Sequence, residues 1–348
     1  MPGANASSLT FRNIQGSHQG GYDLIVENDF GSVTSRVAQV FVFAVPVLPA
    51  IPETFAEVLT PLTISNAAFD PNVPPRPFTY SLAPGGPTNA RVNGRTGVFR
   101  WTPTRAQAPG TNLFNVRVVD DSFSQLSNSM SFIVRVNDYV EATVGSTILL
   151  AGETNAVPVD VFSSAPLLSL DCVIRFAGSR LTNLTVEAMA PDLATVTLQK
   201  PDANTAALSI TAVVGQILQG TQRLARLSFT AVTNQTSAFV PLELDSMHGA
   251  MAQAATRPTL MSTGGRIAII GAQPLVDAHF SATGARELGL YGRRNATYIV
   301  QYSTNLANLT NWLQRGNAIA MGTNIFHTVP VGNIPNTNLP VAFRARTQ

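Results

Sequence analysis

Short apolar–polar alternations, each closed by Gly, Pro, Asn or Asp, recur from one end of this chain to the other. Alternation with a period of two is the signature of a strand with one buried face. No amphipathic run of useful helical length occurs; "ARELGLYG" (285–292) is the nearest approach. A chain without helices must satisfy its backbone N–H and C=O groups between strands and bury its apolar faces sheet against sheet. The expected fold class is therefore all-β, as tandem β-sandwich modules in a rod. The 25 Gly and 23 Pro among 348 residues supply the turns such a fold consumes.

Composition removes several functions. Charged residues make up only 12%, about half of ordinary usage, and net charge is +2. Of the 22 basic residues Lys200 is the sole lysine, and the arginines are scattered, with Arg293-Arg294 the only adjacent pair. No basic stripe suits a nucleic-acid backbone. Cys172 is the only cysteine, which excludes an intrachain disulfide. It sits in "LLSLDCVIRF", where Leu168, Leu170, Cys172, Ile174 and Phe176 alternate onto one expected core face. The longest apolar run, "VFVFAVPVLPAIP", is cut by proline and too short to span a bilayer. "MPGANASSLT" has neither the charged start nor the apolar stretch of a signal peptide, so export by another route or a longer precursor is expected.

Four segments follow from the strand spacing. In residues 1–44, "SLTFRNI", "GYDLIVEN" and "VTSRVAQVFVF" read as three strands. His18, Gly20, Tyr22 and Leu24 fall on an Asp-x-Gly-x-Tyr-x-Cys pattern, and Asn28 to Ser32 on a hairpin turn. The segment resembles strands E, F and G of an I-set immunoglobulin domain. That resemblance implies a bond from the Tyr22 hydroxyl back to the backbone, with Leu24 standing where the family has a cysteine. Residues 45–137 carry Gly97, Phe99, Trp101, Thr102, Pro103 and Thr104, then Phe114, Val116, Val118 and Asp120. They resemble bacterial putative-immunoglobulin, cadherin-like repeats, and the position of Trp101 implies framework packing above a sugar platform. Residues 138–272 carry about eight strands, including a hairpin turning on "PDAN", and look like a cohesin-type or carbohydrate-module-type jelly roll. Residues 273–348 are similar to small C-terminal β-modules of secreted bacterial proteins. There Tyr298, Val300 and Tyr302 are expected to point inward and Trp312 to close the core.

Catalytic chemistry finds no foothold. His18, His248, His279 and His327 are far apart, and no H-x-H or H-E-x-x-H spacing occurs. No nucleophile elbow, phosphate loop or paired carboxylates are present. Five N-x-S/T sequons (Asn5, Asn183, Asn234, Asn295, Asn308) matter only in a glycosylating host. The cadherin-like resemblance implies a calcium site from Glu53, Asp70 with Asn72, Asp120 with Asp121, and Asn137-Asp138, hard oxygen ligands at a module junction. The alternative reading of these residues is turn-capping.

The expectation is a non-enzymatic extracellular or cell-surface structural or adhesive protein, with no cofactor other than calcium. Its partners would be copies of itself or neighbouring modules of a longer precursor. The alternative is a polysaccharide-binding module in residues 138–272, which would need exposed coplanar aromatics. In residues 1–44 the face of Leu9, Phe11, Ile14, Tyr22, Leu24, Val26, Val40 and Val42 is expected to lack cover from nearby sequence.

Overall fold

The computed structural model describes residues 4–72, 74–122, 125–253, 257–306, 309–331 and 341–348. They form strands throughout; among them there is no α-helix, only 3₁₀ turns at Gly16–His18 and Arg105–Gln107. The chain divides into two compact units, Met1–Asn137 and Asp138–Gln348.

The first unit opens with a bent hairpin. Strands β1 (Gly20–Tyr22) and β2 (Ile25–Asn28) run antiparallel to β4 (Ala38–Val40) and β3 (Gly31–Thr34) respectively. A two-layer sandwich follows. One sheet has the order β5 (Thr54–Ala56), β11 (Ser127–Val136), β10 (Gly110–Asp120), β7 (Phe78–Leu82). The other has the order β6 (Leu62–Ile64), β9 (Phe99–Trp101), β8 (Arg91–Val92). The first strand pairs parallel to the last, β5 to β11, while the remaining pairs are antiparallel. The first strand thus lies in the same sheet as the last, and the two sheets close a seven-stranded sandwich.

Its core is aromatic. Phe99, Trp101, Phe114 and Phe132 meet with ring centroids 4.8–5.5 Å apart, mostly edge to face. Trp101 is 2% exposed and its indole N–H donates to Asn89 Oδ1 at 3.0 Å, so it is framework and no platform for sugar. The β8–β9 turn ends at Gly97, with φ +69°; a Cβ there would lie 2.6 Å from Asn66 O and 2.7 Å from the Tyr80 ring.

The second unit begins with a sandwich organised by one long strand. Its strands are β12 (Tyr139–Val144), β13 (Thr147–Leu150), β14 (Thr154–Arg175), β15 (Leu181–Ala188), β16 (Leu193–Gln199), β17 (Thr205–Ala212), β18 (Leu218–Ala231), β19 (Ala238–Met251), β20 (Thr259–Thr263) and β21 (Gly265–Ile270). The first half of β14 pairs with β12 and β18, and its second half with β17 and β19. The strand thus passes from one sheet to the other. Register shifts between Ser163 and Leu167 and between Leu167 and Ser169 mark the passage. They also reverse the strand's phase. Val157, Val159, Val161 and Leu167 are buried before it, Leu170, Cys172 and Ile174 after it. The alternation expected through Leu168 is corrected here: Leu168 points outward and Leu167 takes the core position, because a bulge shifts which residues face inward.

A smaller two-sheet module completes this unit. One sheet is β22 (Leu275–Phe280), β23 (Arg286–Tyr291) and β27 (Phe326–Pro330). In the other, β24 (Thr297–Ser303) pairs with β25 (Leu313–Gln314), β26 (Ile319–Ala320) and β28 (Ala342–Thr347). Tyr298 and Val300 are buried with Leu288, Leu290 and Met321, and Tyr302 packs partly against them. Trp312 does not close this core. Its ring lies at the surface under the Arg344 guanidinium, 4.2 Å from the centroid, and its indole N–H donates to Leu309 O at 2.6 Å.

The phase reversal in β14 gives a direct test. Leu167→Ala should destabilise this unit by about 2–5 kcal/mol, the range for truncating a fully buried leucine. Leu168→Ala one residue later should stay within about 1 kcal/mol. Urea unfolding of both variants measures the contrast, and equal losses would contradict the assigned register.

Candidate functional site

The hairpin of residues 20–40 is closed by a two-residue turn, Asp29-Phe30, in which Asn28 Oδ1 accepts the Phe30 N–H at 2.9 Å. At the other end the Tyr22 hydroxyl donates to the His18 carbonyl at 2.8 Å, and Phe11 packs against both rings. This is the bond from the Tyr22 hydroxyl to the backbone that the resemblance implied. The expected strand at residues 8–14 does not form. Those residues pair with no neighbour, and Asn13 adopts φ +56°, outside the strand region. The segment is thus a two-stranded hairpin, where three strands were expected.

Two strands cannot bury a face. Every residue of β2 and β3 is exposed, and Leu24, Ile25, Val26 and Val33 contribute apolar surface on both sides. Phe30 at the tip is 99% exposed and Phe41 64%. Of the face expected to be uncovered, Leu9, Ile14, Leu24 and Val26 are exposed, while Phe11, Tyr22, Val40 and Val42 are half-buried.

The calcium-ligand candidates fall into separate places. Asp70, Asn72 and Asp120 lie buried at one end of the sandwich of residues 45–137. Glu53 and Asn137 flank its other end, where β5 meets the end of β11, roughly 30 Å away along the strand. The grouping of Glu53 with Asp120 is corrected accordingly. Glu53 pairs with Arg135, and the Asn137 N–H donates to Ala56 O. Asp138 belongs to the second unit, where its carboxylate accepts the Ser164 hydroxyl at 2.9 Å.

At the buried end, internal donors take most of the oxygens. Asp70 Oδ1 accepts the Asn72 N–H and side-chain amide, and Oδ2 accepts the Arg76 N–H at 2.5 Å. Burial alone would raise the Asp70 carboxyl. The hydrogen bonds from Asn72 and Arg76, with the Arg76 charge, hold it below the ordinary carboxylate range. Asp120 Oδ1 accepts Ser122 N–H, Ser122 Oγ–H and Leu126 N–H, which leaves only its buried Oδ2 unpartnered. The Arg76 guanidinium, 3.9 Å from Asp121, already brings positive charge here. Among the described residues no three His, Cys, Asp or Glu converge at metal-holding spacing.

The remaining candidates are also dispersed. His279 faces Glu287 at 3.7 Å across β22–β23, and His248 stands opposite Asp171 on β19–β14. Asp171, Ser209, Thr197, Gln199, Ser246 and His248 line a shallow concavity of about 180 Å³, in which Asp171 already accepts the Ser209 hydroxyl. Cys172 lies beneath it, its thiol pushed up to about 12 by burial and the neighbouring Asp171 charge, and so inert. Among the described residues of 138–272 no aromatic side chain is exposed: Phe176 and Phe229 are buried, Tyr139 stacks on Phe162, and Phe239 is half-buried against Tyr291. The coplanar aromatics a polysaccharide site requires are therefore missing from those residues. Of the sequons, Asn5, Asn183, Asn234 and Asn295 are exposed, and Asn308 lies outside the described residues.

Within the second unit a joint between the larger sandwich and the small module went unforeseen. Ala268, Ile270 and Tyr291 are buried together against Ile148, Phe239 and Phe326. Arg266 lies 4.2 Å over the Phe239 ring and donates to Asp277 at 2.6 Å. Arg293 donates to Gly271 O at 2.7 Å, and Arg294 pairs with Glu153 at 2.6 Å. The adjacent Arg293-Arg294 pair was the sequence signal for this joint.

No family model and no curated protein match the chain. Solved structures that resemble it are cohesins. One is a type I cohesin from Pseudobacteroides cellulosolvens, at 18% identity and TM-score 0.34, covering 40% of this chain and 98% of that one. Another is a cohesin from Acetivibrio cellulolyticus solved with a dockerin, at 11% identity and TM-score 0.34, covering 38% and 99%. A third is a non-cellulosomal cohesin from the archaeon Archaeoglobus fulgidus, at 18% and TM-score 0.30, covering 38% and 92%.

The joint predicts a response to acid. Burial would push the Glu153 carboxyl up, but the bonds from Arg294 and from Leu150 N–H at 3.0 Å, with the Arg294 charge, hold it below its ordinary 4.5. A lowered carboxyl contributes stability that is complete above the unfolded-state value and is lost as pH falls through the folded one. Melting of Glu153→Gln should accordingly start lower at neutral pH and fall less steeply than wild type below about pH 4.5. Parallel curves for the two proteins would contradict this role.

Proposed function

We propose that this chain is a non-enzymatic structural protein of the cell surface or extracellular space, one that joins to further strands through its N-terminal hairpin. The observation that carries this reading is the hairpin's exposed apolar surface, from Leu24 to Val33 with Phe41, set on strands with open edges. Leaving such side chains wet forfeits roughly 1.5–3 kcal/mol each relative to burial. Open edges of this kind pair readily with another chain. Strand addition satisfies both needs together: main-chain bonds supply affinity, and alternate side chains filling a complementary face supply selection. A neighbouring copy is the partner this arrangement favours, and contacts of that heterologous kind propagate into open filaments. The weakly charged surface, the single buried cysteine and the independently closed sandwich of residues 45–137 agree with an assembled extracellular role.

The test is sedimentation of the full chain and of a chain lacking residues 1–44, each across a concentration series. The full chain should associate as concentration rises and the truncated chain should remain monomeric. Val33→Lys with Phe30→Ser, which change only exposed positions, should reproduce the truncation without lowering the melting temperature of the sandwiches. Identical association by all three proteins would refute the reading.

A further inference from the structure

We infer that Asp70, Asn72 and Arg76 form a metal-independent clamp, which fixes the linker between the N-terminal hairpin and the sandwich of residues 45–137. The Asn72 carboxamide, 8% exposed, grips one residue of that linker from both sides. Its Oδ1 accepts the Ala44 N–H at 2.8 Å and its Nδ2 donates to the Ala44 carbonyl at 2.9 Å. This two-bond match copies a strand ladder with a side chain in place of a backbone.

Asp70 holds that carboxamide in place. Its Oδ1 takes the second Nδ2 hydrogen at 2.6 Å and the Asn72 N–H at 2.9 Å. With both amide hydrogens assigned, the carboxamide cannot flip without losing three bonds. The Arg76 guanidinium meanwhile lies 5.2 Å over the Phe43 ring. Further along, Asn128 Nδ2 donates to Pro46 O at 2.9 Å, and Val47 exchanges two backbone bonds with Phe69, both 2.9 Å. Phe43, Ala44, Pro46 and Val47 are thus each tied to the sandwich, where a flexible tether would leave them free.

At this junction Asn72 Oδ1 accepts the Ala44 N–H, both Asp70 oxygens accept N–H groups, and the positive charge comes from Arg76. The linker is therefore ordered by the chain's own donors. This inference does not depend on how the hairpin assembles.

Hydrogen exchange of the full chain, read by mass spectrometry on overlapping peptides across residues 40–50, tests it. In EDTA the Ala44 amide should be protected, and millimolar calcium should leave its rate unchanged. Asn72→Ala and the similar-sized Asn72→Leu, neither of which offers an acceptor to the Ala44 N–H, should each speed its exchange roughly tenfold or more, the factor one or two net hydrogen bonds convert to. The β10–β11 amides should keep their protection in both variants, which separates loss of the clamp from loss of fold. Ala44 exchanging freely in EDTA and slowing only with calcium would overturn the proposal, even if neither variant folded. So would undiminished protection in a folded Asn72→Ala.

Discussion

Every strand needs a neighbour and every sheet needs a cover, and this chain is organised by where those two demands are met. The sandwich of residues 45–137 meets them with seven strands in two layers and an aromatic core. The larger sandwich meets them with β14, a single strand that serves both sheets and so ties them into one folding unit. The hairpin of residues 20–40 pairs its strands but leaves both faces uncovered. Its two strands are too few to enclose a core, so its stability must come from outside itself.

The joint in the second unit shows the same logic met by different means. Ile270 and Tyr291 sit on strands of different modules, yet both are buried in one apolar patch, ringed by Arg266, Arg293 and Arg294. Each of these arginines bonds across the joint, to Asp277, to Gly271 O and to Glu153. Arginine suits the task because its planar fork reaches carbonyl and carboxylate while its face lies on an aromatic ring. A chain with 21 arginines and a single lysine has the composition for such joints.

Much of this was legible in the sequence, and the failures have physical causes. Gly97 and Trp101 were readable because each position has one stringent demand, a positive φ under a ring and a large buried indole. Tyr22 was readable because its hydroxyl reaches a carbonyl four residues back, a local contact. The strand at residues 8–14 was misread because alternation marks a chain able to join a sheet, and whether a neighbour exists is a tertiary fact. Leu168 was misread because a bulge reverses phase without leaving a mark in the pattern of apolar residues. Trp312 was misread because a large aromatic satisfies itself equally under a cation at the surface. The joint of Arg293 and Arg294 was visible only as two adjacent charges, since the residues they meet lie more than twenty positions away in the chain.

The ligand-like residues around Asp70 carry a more general point about reading carboxylates. Asp and Asn spaced two apart are what a calcium loop requires, and also what a turn that caps its own N–H groups requires. The two uses compete for the same lone pairs. What separates them is the accounting of donors. In Asp70 both oxygens are occupied by N–H groups, and Asn72 directs its oxygen at a linker amide. A metal entering here would meet a guanidinium already in place beside Asp121. Asp120 Oδ2 is buried and has no hydrogen-bond partner. That oxygen is where a change of sequence would begin if a site of this shape were to acquire a cation: replacing Arg76 with a neutral oxygen donor would remove the competing charge and supply a second ligand.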